Sequence, residues 1–278
     1  MKKPLLLSAL ALSACAPKSA APEASTEATV VELPAAEDLF QAHVDATNQV
    51  AAIEGMETLK VSSVMRLPAA GIEGTIVSHW AQPNLIVVEQ TIPGIGEGKM
   101  GFDGENGWSS DNMMGPRIME GQELEEALLD SDMMSDINFR EWYPELETLG
   151  TTDFNGVPAY EVKAVARFGR ESTLYFSVEN GRMIGASHSA ETAMGPMTME
   201  VFSTNFQDFE GMIVPQLSYI TTGPMTMELE VMTVEKNVEL AEDFFTPPAE
   251  IQELLAEQAK STDESAEDTP TEATSEEP

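Results

Sequence analysis

The chain has 278 residues, of which 48 are acidic and 14 are basic, so its formal net charge at pH 7 is −34. Such an excess of negative charge repels nucleic acids and anionic lipid surfaces, which excludes DNA binding and docking on a membrane through a basic patch. The acidity fits either a high-salt habitat, where salt screens the surface charge, or a soluble surface poor in lysine. With one cysteine there is no internal disulfide, so the apolar core has to supply the stability.

The first fourteen residues have the layout of a secretory signal peptide. Two lysines precede an apolar stretch at 5–12, which is shorter than the roughly 20 residues that span a bilayer. Leu12-Ser13-Ala14-Cys15 resembles the lipobox of bacterial lipoproteins, which implies cleavage before Cys15 and its lipidation by acyl chains such as palmitate. An ordinary signal peptide with a chance cysteine is the alternative. By the sorting rule of those lipoproteins, Ala16 after the cysteine favours the periplasmic face of the outer membrane.

Composition divides the rest of the chain into three parts. Residues 15–36 comprise Cys15 and a stretch rich in Ala, Pro, Ser, Thr and Glu, which predicts a disordered tether. Residues 261–278 hold seven acidic residues and no basic residue, which predicts a disordered acidic tail. The region between them, 37–260, is therefore expected to form one folded domain.

The domain is predicted to open with a helix. Glu37 and Asp38 suit the positive end of a helix dipole, and apolar residues recur at three- and four-residue spacing from Leu39 to Ile53. Gly55 is a plausible end of this helix.

From residue 60 onward the pattern changes to short β-type runs separated by Gly, Pro, Asn and Asp, which predicts consecutive antiparallel hairpins. The expected strands are 60–67, 74–81, 84–92, 98–103, 106–111, 146–154, 157–167, 171–178, 182–191, 196–206, 212–222 and 225–235. About twelve such strands close as a barrel or curl into an open half-barrel.

Two further helices are predicted. The segment 119–139, with Leu124 and Leu128 on its apolar side, is expected to lie over the sheet as a lid. A final helix is expected at about 248–260, after Pro247 and Pro248. The fold class is thus mainly β, with a helix before the sheet and a helical lid.

Alternation along the strands indicates one dry and one wet face of the sheet. The chain has 17 methionines, and the run Gly-Pro-Met-Thr-Met-Glu occurs at 195–200 and again at 223–228. Methionine is flexible and polarisable, so a stripe of it suits a deformable cavity for acyl chains, although ordinary core packing gives the same pattern. The candidate cavity-lining residues are Leu174, Phe176, Met197, Met199, Val201, Met225, Met227 and Leu229.

Several runs, in matching order, resemble the LolA/LolB-like carriers and receptors of outer-membrane lipoproteins. They are Trp80-Ala81-Gln82-Pro83-Asn84-Leu85, the hairpin from Gly101 to Trp108, the run from Phe206 to Pro215, Asn237-Val238-Glu239-Leu240, and the run from Asp243 to Pro248. The resemblance implies an incomplete antiparallel barrel of about 11–12 strands, with an N-terminal helix and a helical lid over an apolar cavity that holds acyl chains.

The chain departs from this family at the lid. Gln82 stands where the soluble carrier has an arginine, and the anchor of this chain favours the membrane-bound receptor over the shuttle. The receptor presents an apolar side chain on a protruding loop for insertion into the membrane. Ile92 and Ile95, beside Gly94 and Gly96, are the candidates here, although a turn residue tucked inward is the alternative.

No sequence motif indicates an enzyme. His43, His79 and His188 lack metal-ligand spacing, and Cys15 is consumed by the anchor. The expected function is a membrane-anchored, periplasm-facing protein, a monomer without cofactor or metal, that binds lipid or lipoprotein acyl chains. A scaffolding lipoprotein of the envelope with the same fold is the alternative, and a polar constellation inside the cavity would favour an enzyme instead.

Overall fold

Thirteen strands form one antiparallel sheet in the part of the chain that the computed structural model describes, residues 32–112, 114–192 and 195–267. The strands are β1 (Thr58–Leu67), β2 (Ile72–Ala81), β3 (Leu85–Ile92), β4 (Gly96–Phe102), β5 (Gly107–Asp111), β6 (Gly115–Ile118), β7 (Glu145–Phe154), β8 (Val157–Val165), β9 (Glu171–Ser177), β10 (Met183–Thr192), β11 (Gly195–Phe209), β12 (Met212–Thr222) and β13 (Met225–Lys236).

Five α-helices and one short 3₁₀ turn accompany the described sheet. They are α1 (Ala36–Ala46), α2 (Gln49–Ile53), the 3₁₀ turn Pro68–Ala70, α3 (Gly121–Ser131), α4 (Phe139–Trp142) and α5 (Ala249–Glu267). Of the helices within the described ranges, none combines the length and the apolar character needed to cross a membrane.

The sheet is open, because β6 and β7 form its two edges and do not pair with each other. The strand order is β6-β5-β4-β3-β2-β1-β13-β12-β11-β10-β9-β8-β7, so the pairing of β1 with β13 joins two runs of hairpins. β6 and β7 are consecutive in the chain and yet lie at opposite edges. The connection between them, residues 119–144, carries α3 and α4, and α3 lies over strands β3, β4 and β5.

The sheet curls towards α3. β3 and β9 are seven strand positions apart in the sheet order, or ~34 Å on a flat sheet at ~4.8 Å per strand. Neighbouring residues of α3 nevertheless reach both: Ala127 lines a recess over Val88 of β3, while Glu126 forms an ion pair at 3.2 Å with Arg170, which directly precedes β9. We call the face that bears Val88 and faces α3 the inner face, and the opposite one the outer face.

One end of the inner face is filled by α1. Phe40 of this helix is 1% exposed and stacks on Phe139 of α4, with ring centroids 4.4 Å apart. Both rings pack in one apolar cluster with Leu174 and Phe176 of β9. At this end the inner face is a solid core that holds α1 and α4 in place.

The C-terminal helix covers the outer face. Ile251 of α5 is fully buried and packs on Val87 and Trp108, side chains that the strand register places on the opposite face from Val88. The final helix is thus confirmed, but the expectation that the outer face is uniformly wet is wrong. Alternating patterns in β9 and β13 carry no information about β3 and β5, where α5 docks.

Local sequence patterns located twelve of the strands, and β6 was missed. β6 contains Pro116, which removes a backbone donor and argues against a strand in the sequence, but an edge strand tolerates it. The count is therefore thirteen described strands rather than 11–12.

The first and last helices also differ from their predicted lengths. The opening helix is interrupted at Thr47 and Asn48, because the Thr47 hydroxyl donates to the carbonyl of His43 at 2.6 Å and Asn48 adopts a left-handed conformation with φ of 56°. α5 continues to Glu267, past the predicted end at about 260 and into the segment predicted as an acidic tail.

Phe40→Ala tests the contact of α1 with the inner face. Losing a buried aromatic ring is expected to lower the free energy of unfolding by about 3–5 kcal/mol, measured by urea denaturation. The matched control is Val50→Ala in α2, where the side chain is 59% exposed and the expected change is within about 0.5 kcal/mol. Equal effects of the two changes would show that α1 does not pack as described.

Candidate functional site

Three adjoining recesses lie along the inner face at the β3–β5 side and under α3. Recess A, of about 280 Å³, lies between the β3–β4 and β5–β6 turns. Recess B, of about 170 Å³, lies between α3 and strands β3 and β4. Recess C, of about 220 Å³, lies between α2, β1, β2 and the segment after α3. We call the three together the trough.

Recess A is an apolar depression at the turn end of the sheet. Val88 and Met100 form its floor beside Ile92, and its rim carries Ile95 and Met114, which are 49% and 73% exposed. Exposed side chains of this size at two neighbouring turns leave an apolar rim in contact with water. Such a rim suits contact with an apolar partner.

Recess B continues recess A beneath the lid. It shares Val88 and Met100 with recess A, and adds Ile86 and Met119 as a buried apolar wall. Its roof is α3. Recesses A and B therefore adjoin each other along β3 and β4, on either side of the cross-strand pair of Val88 and Met100.

Recess C lies at the far end of recess B, and Asp130 lines both. Its apolar floor is formed by Ile53, Met56, Leu59, Met212 and Val214, with Trp80 also in the lining. Its rim contains Asp130, Asp132 and Asp136. The trough therefore passes from an apolar rim, through an apolar floor, to a group of carboxylates.

The lid helix is fixed over the trough from several sides. The indole N–H of Trp80 donates to the carbonyl of Asp130 at 2.9 Å, which ties the last turn of α3 to β2. Ion pairs hold the rest of α3, and the donors come from both halves of the sheet. They are Arg117 with Glu123 at 2.6 Å, Arg167 with Glu125 at 3.2 Å and Arg170 with Glu126 at 3.2 Å.

Asp136 links the lid segment to α1 and α2. Its carboxylate accepts from the Gln49 amide at 2.8 Å and lies 3.4 Å from Nε2 of His43. The backbone N–H of Met183 donates to Nδ1 of His43 at 3.0 Å, so the proton of the neutral ring is on Nε2. Burial opposes ionisation of Asp136, but the bonds from His43 and Gln49 outweigh it and lower the pKa of the carboxyl.

The pKa of Asp130 is shifted in the opposite direction to that of Asp136. Water reaches the side chain, yet it lies in a recess between α3 and the sheet, and the resulting desolvation raises its pKa from 3.8 to about 6. The charge of Arg170 lowers the pKa only in part, and Glu126 raises it. Among the residues that the structure describes, Asp130 has no salt bridge and no hydrogen bond to its carboxylate, whereas Asp132 accepts from the indole of Trp142 at 2.7 Å.

The predicted cavity residues lie on the inner face but outside the trough. Strand register places Met227, Val201 and Leu174 in one row across the sheet, and the other five candidates belong to the same face. Leu174 and Phe176 are core residues beneath α1, because they are 4% and 0% exposed. The others are half-buried or, for Met225, 59% exposed. They are Met197, Met199, Val201, Met225, Met227 and Leu229.

The structure places the remaining candidates as follows. Leu124 and Leu128 lie on α3, and Leu124 packs near Gly107 of β5, which supports the helix as a lid. Ile92 and Ile95 both line recess A. Gln82 donates to the carbonyl of Met56 at 2.7 Å, and so binds the start of β1 rather than the lid. Cys15 and the tether up to residue 31 are outside the described residues.

The residues that shape the trough were missed by sequence reasoning. Val88 and Met100 occupy inner positions of β3 and β4, and the alternation of those strands is a signal that identifies them. Asp130 carries no such signal, because one carboxylate among 48 acidic residues stands out only when the recess around it is known.

His43, His79 and His188 lie in three separate environments. His43 bonds Met183 and Asp136, His79 stacks edge-on against Phe244 under α5, and burial lowers the pKa of His79 and of His188. Over residues 32–112, 114–192 and 195–267, no three His, Cys, Asp or Glu side chains are arranged to hold a metal ion.

Comparison with solved structures finds similar folds. A LolA superfamily protein from Nitrosomonas europaea is 15% identical, with a TM-score of 0.53 over 77% of this chain and 99% of that chain. A DUF1329 family protein from Desulfovibrio piger is 8% identical, with a TM-score of 0.52 over 77% of this chain and 98% of that one. A protein domain assigned to outer-membrane lipoprotein sorting in Vibrio parahaemolyticus is 12% identical, with a TM-score of 0.50 over 76% and 97%.

The open antiparallel sheet with a helical lid is therefore the LolA-like fold, as the resemblance implied. At these identities the likeness extends to the fold alone. No protein-family model and no curated protein sequence matches the chain.

Asp130→Asn tests the electrostatics of the trough. A raised pKa means that the stabilising effect of protonated Asp130 is present below about pH 4 and is lost as the pH rises through about 6. The variant is therefore expected to be more stable than the wild type at pH 8 and equal to it near pH 4, in urea denaturation at each pH.

Asp136→Asn is the matched comparison, and its effect on the free energy of unfolding is expected to have the opposite sign. A lowered pKa stabilises the fold above pH 3.8 and this effect is lost as the pH falls through the folded value. The variant is expected to be less stable than the wild type at pH 7 by about 1 kcal/mol, with the difference closing below pH 4. If both variants shift stability in the same direction at pH 8, the described environments of the two carboxylates are wrong.

Proposed function

We propose that this protein binds the hydrocarbon chains of lipid or of lipidated protein in the trough beneath α3. The observation that carries the proposal is a pair of adjoining apolar recesses, A and B, of about 280 and 170 Å³, which share Val88 and Met100 in their lining and end on an exposed apolar rim.

The fold supports the same class of function. Two structures of similar fold are described by their names as a LolA superfamily protein and as a domain for outer-membrane lipoprotein sorting. An open sheet with a lid suits such ligands, because hydrocarbon needs a deformable apolar surface rather than directed hydrogen bonds. Methionines supply this surface in the trough, at Met100, Met119, Met56 and Met212.

The proposal includes an anchored, receptor-like role in the bacterial cell envelope. The lipobox-like run ending at Cys15 supports a lipid anchor, with the domain facing the periplasm from the outer membrane. In this arrangement the rim formed by Ile95 and Met114, near Ile92, would meet the membrane and pass hydrocarbon between the bilayer and recess A. We infer a binding activity without covalent chemistry or cofactor.

Met100→Glu tests where the hydrocarbon binds. Met100 lines recesses A and B and is 45% exposed, so a carboxylate is tolerated by the fold but lies against any bound chain. We expect at least about a tenfold loss of affinity for an uncharged fluorescent fatty alcohol, since an unpaired charge facing hydrocarbon costs more than about 1.4 kcal/mol.

The matched control is Met232→Glu, because Met232 is 52% exposed and lines none of the three recesses. Its affinity is expected to stay within about twofold of the wild type. Met197→Glu and Met227→Glu in the same assay show how far along the inner face the hydrocarbon extends. A wild-type protein that binds no uncharged fluorescent fatty alcohol would contradict the proposed function.

Cys15→Ser tests the anchor. Without the thiol, the acyl chains have no attachment, and the protein is expected to move from the membrane fraction to the soluble fraction of the cells. Fractionation followed by intact mass measurement reads out both location and lipidation. An unmodified Cys15 in membrane-associated wild-type protein would contradict the anchored role.

A further inference from the structure

Among the described carboxylates that line recesses B and C, Asp130 alone has neither a salt bridge nor a hydrogen bond. Glu123 and Glu126, which also line recess B, are paired with Arg117 and Arg170. In recess C, Asp132 and Asp136 accept hydrogen bonds from Trp142 and Gln49. No such partner of the Asp130 carboxylate occurs among the described residues, although it lines both recesses.

Two further features of the surroundings of Asp130 favour a bound cation. Asp130 lies in the last turn of α3, where a helix carries partial negative charge. Recess C also contains Trp80, and tryptophan has the side chain whose ring face attracts cations most strongly. The neighbouring cation Arg170 forms its ion pair with Glu126, at 3.2 Å, and acts on Asp130 only through its charge at longer range.

We propose that Asp130 binds the ammonium group of an amphiphile whose hydrocarbon chain lies in recesses A and B. This inference rests on the proposed function, since the chain has to occupy the trough for the head group to reach Asp130. Recess B connects the two ends, because it shares Val88 and Met100 with recess A and Asp130 with recess C.

The chemistry of the site favours an organic ammonium group over a metal ion. Within the described ranges, no three potential ligands converge on one point as a metal requires. A primary ammonium group needs only one strong acceptor in the protein and carries the apolar chain that the trough accommodates. Its charge also matches the net charge of −34 on the protein, whereas a fatty carboxylate is repelled.

The test compares three probes of equal chain length below their micellar concentrations: dodecylamine, dodecanol and dodecanoate. Wild-type protein is expected to bind the amine most tightly. Asp130→Asn is expected to weaken amine binding by about tenfold and to change dodecanol binding less than about twofold, because only the charge-assisted bond is lost. Glu54→Gln is the control for net charge, because Glu54 is exposed and lines none of the three recesses. The substitution removes one negative charge, as Asp130→Asn does.

The outcomes separate this inference from the proposed function. If dodecanol binds and amine binding is unchanged in Asp130→Asn, or falls equally in Glu54→Gln, the Asp130 site is refuted and hydrocarbon binding stands. If none of the probes binds to the wild type, the proposed function fails and the inference with it. Asp130→Glu, which keeps the carboxylate, is expected to retain most of the amine preference, and a loss as large as that of Asp130→Asn would argue against a charge-based site.

Discussion

The structure depends on the pairing of β1 with β13, which joins two runs of hairpins into one sheet. Each run is local and needs only turn chemistry, but this pair brings together residues about 170 positions apart, such as Val61 and Val234. Once it forms, two strands that are consecutive in the chain, β6 and β7, lie at opposite edges. The connection between them carries α3 over strands β3, β4 and β5, where this helix forms the lid.

The lid divides the inner face into a filled part and an open part. α1 and α4 occupy the side near β9 with stacked aromatic rings, and Leu174 and Phe176 become core. At the β3–β5 side, α3 rests on ion pairs and on the bond from Trp80, and leaves the trough beneath it. Leu124 and the buried Leu129 add apolar contacts, and the apolar floor of recess B lies below the helix.

Much of the fold could be predicted from the sequence, because turns such as Asn155-Gly156 and alternating strands are local signals. The long-range pairing of β1 with β13 and the docking of α5 on the outer face depend on contacts between distant residues, and no local pattern contains them. The predicted cavity residues share the inner face with the trough but lie on other strands. The methionines of β11 and β13 form a repeated local pattern, whereas recess B combines β3 and β4 with α3, a contact that no local pattern contains.

Asp130 shows why a site of this kind escapes sequence reasoning. Its distinction is the environment that surrounds it, two recesses and a helix end, rather than its residue type or spacing. The same environment accounts for the proposed ligand, because the apolar recesses suit a hydrocarbon chain and the carboxylate of Asp130 suits a cationic head group.

The location of a bound hydrocarbon chain tests this account most directly. A crystal structure of the protein grown with a brominated fatty amine would locate the bromine atoms by anomalous scattering. The account predicts bromine between α3 and strands β3 and β4, near Val88 and Met100, with the amine at Asp130. Bromine confined to the outer face, or a trough closed by the protein's own side chains, would contradict it.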